Sequence, residues 1–249
     1  MLGVVGALAA LAVAASTATA DTLKGTSGFG SQSWTSAVLN ENGTPYWDSG
    51  SWDGSQKNIG YCLTASGGCT QLGSTAPGAV PYWGAPSGAA DPNMFFQASG
   101  ASNAAVQLTI AGNAGTNKFG WFETNATGAL IGATHQLFSG ATSGTSATFA
   151  PTSYYGYYLT DGKTNTTWYS LSTGNRIGQM ADQHFAIFRA TGPSTFWIGM
   201  EDLPLSDSDR DYNDLVVKVS PVAVPEPATL LLVGSGIAGL LAGARRWIR

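Results

Sequence analysis

Charged side chains are scarce in this 249-residue chain, in which Asp, Glu, Lys and Arg together make up 10% of the residues. Between residues 21 and 223, 14 acidic residues stand against 8 basic residues, which gives a net charge of −6. A nucleic-acid-binding protein needs a clustered basic surface to neutralise phosphates, so this balance excludes nucleic acid as a partner. Apolar residues also lack a 3.6-residue period over almost all of this region, which excludes a helical bundle.

Histidine is nearly absent as well, since the chain has only His135 and His184. Neither lies in a sequence motif for a nucleophile–base pair or for a zinc site, so we predict that the protein is not an enzyme. One catalytic alternative is a glycosidase that uses Glu123 and Glu201, because strand ends can bring distant carboxylates together.

There are only two cysteines, Cys62 and Cys69, and they flank Leu-Thr-Ala-Ser-Gly-Gly, a sequence typical of a turn. In an oxidising compartment this arrangement predicts a disulfide that closes a small loop and stabilises the fold by about 2–3 kcal/mol. A metal-binding cysteine pair is the alternative, but no second pair of Cys or His residues has ligand spacing.

Gly, Ser, Thr and Asn are abundant, and they bound short segments rich in apolar and aromatic residues. The predicted strands are residues 94–97, 105–110, 118–123, 147–149, 154–160, 167–170, 184–189, 195–200 and 215–219. Their spacing of roughly 8 to 15 residues, without helices between them, is typical of an antiparallel sandwich. We therefore predict an all-β domain over residues 21–220, with an antiparallel β-sandwich or jelly-roll fold.

The N-terminal segment, residues 1–20, has the character of a signal peptide. Residues 2–15 are almost wholly apolar, and Ala18-Thr19-Ala20 supplies the small-x-small pattern that signal peptidase recognises before Asp21. Signal peptidase is thus a predicted partner, and the mature chain begins at Asp21. An uncleaved N-terminal anchor is the alternative, although the short apolar core argues against it.

The C-terminal segment, residues 221–249, has three parts. Pro225-Glu226-Pro227 precedes an apolar run over residues 228–244, and Arg245, Arg246 and Arg249 follow it. As a helix the run would be roughly 25 Å long, slightly less than a ~30 Å hydrocarbon core. Arginines resist translocation and stay on the cytoplasmic side. The segment therefore predicts a transmembrane helix over 228–244 that holds the exported part outside.

This tail resembles the PEP-CTERM sorting signal of Gram-negative bacteria that make exopolysaccharide. The resemblance implies that an exosortase-type membrane protease recognises Pro225, Glu226 and Pro227 and removes the tail, and that exopolysaccharide is a possible partner. It also implies inner-membrane anchoring, at least transiently, followed by delivery to the cell surface or the extracellular space. An ordinary C-terminal anchor is the alternative.

An acidic segment over residues 201–214 carries six of the 14 acids of the mature chain. Carboxylates that close repel one another unless a cation lies among them, and Ca²⁺ accepts six to eight oxygen ligands of mixed kinds. We predict a calcium site there, although Tyr212 stands where the loop of an EF-hand needs glycine. The predicted ligands are Asp202, Asp207, Asp209, Asp211, Asn213 and Asp214. The alternative is a strand–loop–strand connection in which Asp209 and Asp211 pair with Arg210 or Arg189, and Asn213 and Asp214 cap the turn.

Glu201-Asp202-Leu203 and Asp209-Arg210-Asp211-Tyr212-Asn213-Asp214 resemble a motif of DUF4114, a group of exported bacterial β domains of unknown function. The resemblance covers roughly residues 184–219. It implies a β-sandwich with a calcium loop between its last two strands, and no activity.

Aromatic residues offer a second functional interpretation. Tyr154-Tyr155-Gly156-Tyr157-Tyr158, Trp47 and Trp52 could stack on sugar rings while neighbouring Asp and Asn bind hydroxyl groups. Aromatic filling of the core and edges is the simpler explanation. We therefore expect an exported, non-enzymatic surface or matrix protein, with a carbohydrate-binding module as the alternative.

Overall fold

The computed structural model describes residues 21–25, 30–33, 59, 81–84, 94–109, 113, 115–140, 144–171, 174–177, 180, 181, 183–189, 195–209, 211–222 and 237. The predicted signal peptide with Ala18 and Ala20, the Cys62–Cys69 disulfide and the sorting residues of the tail all lie outside these residues. So does the predicted membrane helix, apart from Ile237. Within the described part of the chain, no helix has the length and apolarity needed to cross a membrane.

The chain divides into two compact units, and residues 19–222 form the one that holds the β-structure. The other unit comprises residues 1–18 and 223–249. The described strands of the β-unit are β1 Thr22–Gly25, β2 Gly30–Ser33, β3 Pro81–Gly84, β4 Met94–Gln97, β5 Ser102–Thr109, β6 Lys118–Thr124, β7 Leu130–Ser139, β8 Ser146–Phe149, β9 Tyr154–Thr160, β10 Thr167–Tyr169, β11 Arg176–Ile177, β12 Met180–Ala181, β13 Phe185–Arg189, β14 Phe196–Met200 and β15 Leu215–Pro221.

Two antiparallel sheets contain nearly all of these strands. Sheet A has the order β1-β4-β9-β6-β7, with β10 paired to β9. Sheet B has the order β2-β3-β13-β14-β15-β5-β8. The short strands β11 and β12 pair only with each other among the described residues. The last strand, β15, is therefore an interior strand that joins β13 and β14 to β5 and β8.

The main apolar core is shared by the inner faces of both sheets. Phe96 of sheet A meets Phe196 of sheet B edge to face, with ring centroids 5.1 Å apart, and Tyr157 meets Phe149 in the same way. Along β9 the side chains alternate, as a strand requires: Tyr157 enters this core, whereas Tyr158 joins a smaller cluster with Phe95. Aromatic residues with little competing charge thus form a core that two sheets can share.

Asp21, the first residue after the predicted cleavage site, is fixed at the start of β1. Its carboxylate accepts hydrogen bonds from Ser99 N–H at 2.7 Å, Ser102 Oγ at 3.0 Å and Tyr155 OH at 2.6 Å. The side chain is 6% exposed. A buried carboxylate is tolerated here because it is fully hydrogen-bonded.

The all-β prediction with antiparallel sheets is confirmed, and each of the nine predicted strands corresponds to an observed strand within three residues at either end. No strand was predicted before residue 94, and the structure has β1, β2 and β3 there. The longest strand, β7, was not predicted. The jelly-roll connectivity stays a prediction.

Candidate metal site

The connection between β14 and β15 carries the acidic segment. Its two ends are tied together, since Asp202 N–H donates to Asp214 Oδ2 at 2.9 Å and Met200 forms a bridge with Asn213. Glu201 N–H donates to His184 O at 3.1 Å, which continues the pairing with β13 by one residue. The acidic residues at both ends of the connection are therefore held next to each other at the edge of the core.

Tyr212 determines how the second half of the connection turns. Its φ is 56°, in the left-handed region that bulky residues rarely adopt. The ring is fully buried, the OH donates to Gln183 O and the N–H donates to Glu201 Oε1 at 2.8 Å. On the preceding residue, Asp211 O accepts from Ile59 N–H at 2.7 Å. Packing and hydrogen bonds thus stabilise a conformation that presents Asp211 to Glu201.

Glu201, Asp209 and Asp211 form the first acidic group. Each offers a carboxylate oxygen, and these oxygens lie within 4.8 Å of one another. Glu201 is 1% exposed and Asp211 is 3% exposed. Three carboxylate oxygens at this spacing form one side of a coordination shell of the kind that Ca²⁺ takes.

Burial and mutual repulsion determine the electrostatics of the described carboxylates. Burial raises the pKa of Glu201 to about 8; repulsion from Asp211 adds to this, and the hydrogen bond from Tyr212 N–H opposes it. Burial also raises the pKa of Asp214 well above its usual value, with repulsion from Glu201 and Asp202 adding to it. A divalent cation would reverse these shifts by favouring the ionised forms.

Asp202 makes a different set of contacts. Its Oδ2 accepts from Asn117 Nδ2 at 2.7 Å, and its carbonyl accepts from Trp168 Nε1 at 3.1 Å. Burial raises the pKa of its carboxyl, and repulsion from Asp161 contributes. Asp202 therefore contacts residues of sheet A and of the loop before β6, whereas the Glu201 side chain contacts Tyr212 in its own connection.

Two family models match parts of the chain. Residues 136–221 match the domain of unknown function DUF4114, and residues 223–246 match the PEP-CTERM protein-sorting motif. The chain carries a DUF4114 domain and a PEP-CTERM sorting motif. No curated protein and no solved structure matches the chain. The sorting motif implies an exported protein that passes through the membrane.

The DUF4114 match extends further than the sequence resemblance, since it begins at residue 136 rather than 184. It includes the last four residues of β7 and all of β8 to β15, and therefore strands of both sheets. The acidic connection lies near its C-terminal end, directly before β15. The matched segment thus contains most of the candidate ligands but not Asn117.

The structure distributes the six predicted ligands among several environments. Asp209 and Asp211 meet Glu201, while Asp214 lies between Glu201 and Asp202. Asn213 Nδ2 donates to Asp211 Oδ2, so its amide supports the group. Asp207 is exposed and accepts from Ser206 Oγ at 3.3 Å, and the structure does not bring it into the group. Arg210 and the Arg189 side chain, which the alternative interpretation uses, lie outside the described part of the chain.

Three residues near these carboxylates were not among the predicted ligands: Glu201, Asn117 and Asp161. Glu201 could have been predicted as a ligand from the sequence, because it directly follows a predicted strand and opens the same acidic motif. Nothing in the sequence links Asn117 or Asp161 to the site. Asn117 directly precedes β6 and Asp161 directly follows β9, far from the motif in sequence.

A groove of about 240 Å³ lies at the other end of β6. Trp121, Glu123, Thr124, Asn125, Ile131 and Tyr154 are among its lining residues. Glu123 Oε1 lies 3.8 Å from His135 Nε2, and the His135 ring stacks on Trp121 with centroids 3.9 Å apart. Glu201 Oε1 accepts from Tyr212 N–H instead, and within the described part of the chain no contact joins Glu123 to Glu201.

Proposed function

We propose that this protein is exported and retained at the cell surface or in the extracellular matrix, where it has a non-enzymatic role and where Ca²⁺ stabilises its β-domain. The sorting motif supports delivery. The observation that carries the calcium part is the convergence of Glu201, Asp209 and Asp211 within 4.8 Å in a largely buried position. Oxygen ligands without Cys or His favour a hard cation such as Ca²⁺.

The tail supplies the sorting step of this proposal. An exosortase would recognise Pro225-Glu226-Pro227 while the apolar segment 228–244 spans the membrane and Arg245 and Arg246 remain on the cytoplasmic side. Cleavage would release the β-domain or transfer it to the cell surface. In this arrangement the last strand of the domain ends at Pro221, directly before the sorting sequence.

Thermal unfolding of the full chain, with calcium and with a chelator, tests the metal part. At 100 times the dissociation constant, a bound ion stabilises the fold by about 2.7 kcal/mol. For a domain of this size that corresponds to roughly 5–10 °C in Tm. Glu201→Gln should reduce the increase by removing a ligand of the ion, whereas Glu123→Gln, which also removes one carboxylate, should leave it unchanged. An equal Tm in calcium and chelator would refute the proposal.

Carbohydrate binding is a second candidate, and the groove beside Trp121 is the observation that favours it. Glu123 and Asn125 offer polar groups to sugar hydroxyls, and Tyr154 offers an aromatic ring. Thr124 Oγ1 is buried and has no hydrogen-bond partner among the described residues. By contrast, Tyr155, Tyr157 and Tyr158 are buried, which leaves them unavailable as sugar platforms.

Binding of the full chain to purified exopolysaccharide tests this candidate. Glu123→Gln keeps the core intact and should weaken binding if the groove is the site. Asn125→Ala should weaken it too, although this change also removes the hydrogen bonds that Asn125 Oδ1 accepts from Thr127 and Ala129 in the turn. Asp207→Asn removes an exposed carboxylate elsewhere and should have no effect. Binding that survives both groove variants would place the sugar site outside this groove, and Trp47 and Trp52 would be the next residues to test.

A further inference from the structure

Asn117 presents a buried amide to the Asp202 carboxylate. Its Nδ2 donates to Asp202 Oδ2 at 2.7 Å, while its Oδ1 is buried and has no hydrogen-bond partner among the described residues. The side chain is 4% exposed. Burying a carbonyl oxygen without a hydrogen-bond donor costs free energy. A buried amide oxygen that lacks a donor and lies beside a carboxylate is suited to bind a cation together with that carboxylate.

Asp161 brings a second carboxylate to the same place. It is 1% exposed, and it lies close enough to Asp202 to contribute to the raised pKa of that residue. Its oxygens accept from Lys163 N–H at 2.9 Å and Thr164 Oγ1 at 2.6 Å, within its own turn. A carboxylate has about four acceptor positions, so this turn orients Asp161 and still leaves capacity for a further partner.

The turns that carry these residues are packed together. A Cβ on Gly162 would overlap Thr116 O, so the Asp161 turn lies directly against the backbone before Asn117. Asn117 N–H donates to Asn113 O at 3.2 Å, and Gly140 N–H donates to Asn117 O at 2.9 Å. The backbone therefore positions Asn117 and Asp161 independently of any ligand.

The site at Glu201 does not include all the carboxylates of the region. These carboxylates are Asp161, Glu201, Asp202, Asp209, Asp211 and Asp214. One Ca²⁺ bound by Glu201, Asp209 and Asp211 leaves the other three, Asp161, Asp202 and Asp214, outside its coordination shell. A second cation beside Asp161 and Asp202 would offset the repulsion between these two carboxylates.

We propose a second Ca²⁺ site at which Asn117 Oδ1, Asp161 and Asp202 are ligands, with Asp214 between this site and the one at Glu201. Its ligands come from the loop before β6 and the turn after β9 in sheet A, and from the β14–β15 connection of sheet B. A cation there ties the two sheets together at one end of the sandwich. This second site rests on the proposed function only for the identity of the ion. Apart from Asp214, its ligands do not belong to the site at Glu201.

The number of calcium ions bound by the full chain, measured by calorimetric titration, tests this inference. We expect two ions per chain in the unmodified protein and one in Asp161→Asn. Asn117→Ala leaves the Asp161 turn intact and removes the amide oxygen. It should lower the affinity for the second ion by roughly tenfold or more, since loss of even a group that only supports a ligand has this effect. Asp207→Asn, the matched control for loss of a carboxylate, should still bind two ions.

Terbium luminescence assigns the ion to a position. Trp168 Nε1 lies 3.1 Å from Asp202 O, so Tb³⁺ bound at Asp202 should be sensitised when tryptophan is excited. Asp161→Asn should remove most of this emission and Glu201→Gln should retain it. A single ion per chain that is lost in Glu201→Gln, or full stoichiometry in Asp161→Asn, overturns the second site and leaves the first intact. Binding that requires Asp161 but not Glu201 overturns the first site and leaves the second.

Discussion

At the residue scale, Tyr212 explains how an acidic loop without glycine forms a tight turn. The sequence places Tyr212 where the calcium loop of an EF-hand has glycine, and this was reason to reject that motif. The structure shows the left-handed backbone at this position all the same, with φ at 56°. The cost of about 1–2 kcal/mol is offset by burial of the ring and two hydrogen bonds. Such compensation depends on tertiary contacts and is invisible in the sequence.

Glu201 makes the metal-free protein sensitive to pH. Its pKa is about 8 in the folded protein, against an ordinary value of 4.5. Between these values the folded state retains a proton that the unfolded chain has released, so the free energy of unfolding falls as pH rises. In chelator, we expect Tm to decrease from pH 5 to pH 8, and Asp202 and Asp214 shift in the same direction.

Calcium takes the place of these protons, so the decrease should largely disappear in excess calcium. Glu201→Gln should reduce the slope in chelator, because it removes the carboxyl group whose pKa is raised to about 8. A Tm in chelator that stays level or rises over this range contradicts the assignment of Glu201 as a buried, uncompensated carboxyl group.

At the element scale, β14 must approach the connection that follows it very closely. A Cβ on Gly199 would lie 2.5 Å from Tyr212 O and 2.7 Å from Ile59 Cγ1. Gly199→Ala should therefore displace Tyr212 and lower the free energy of unfolding by roughly 2 kcal/mol or more. Denaturant unfolding measures the loss.

Gly100→Ala is the matched control, because a Cβ at Gly100 meets nothing within 4 Å. It should change stability by less than about 0.5 kcal/mol. The Gly199 variant should also weaken calcium binding, since Tyr212 positions Asp211. Equal stability of the two variants would show that β14 accommodates a Cβ at residue 199, which contradicts the close approach described above.

Strand β7 shows why some elements escaped sequence analysis. Leu130 and Ile131 are 50% and 63% exposed, and only Phe138 of the strand is buried. This edge strand has no alternating apolar pattern, because neither of its faces is buried over most of its length. By contrast, β14 and β15 are buried along most of their length and were predicted within two residues at each end. Burial is what makes a strand visible in sequence.

At the scale of the whole molecule, half of the candidate site follows from the sequence. Asp209 and Asp211 lie in one contiguous motif, so their proximity could be predicted. Asn117 and Asp161 reach Asp202 only because sheets A and B pack together, and their separations along the chain are 85 and 41 residues. One sequence without related sequences holds no information on such pairings.

The interior position of β15 predicts the effect of truncation. A chain that ends after Asp214 lacks the strand that pairs with both β14 and β5. We expect no cooperative unfolding transition from it, measured by circular dichroism. A chain that ends after Val222 keeps every described strand and should melt like the full chain. Cooperative unfolding of the shorter chain at the same temperature would show that sheet B closes without β15.

The place of β15 in sheet B also has a consequence for the order of events during export. A chain that crosses the membrane N-terminus first delivers β15 after all other strands, and until then β13 and β14 have no partner on the side of β5. The PEP-CTERM motif begins at residue 223, two residues after β15 ends. The domain is therefore completed at almost the same time as the sorting sequence emerges. A chain that stalls earlier has neither a complete sheet B nor an exposed sorting sequence.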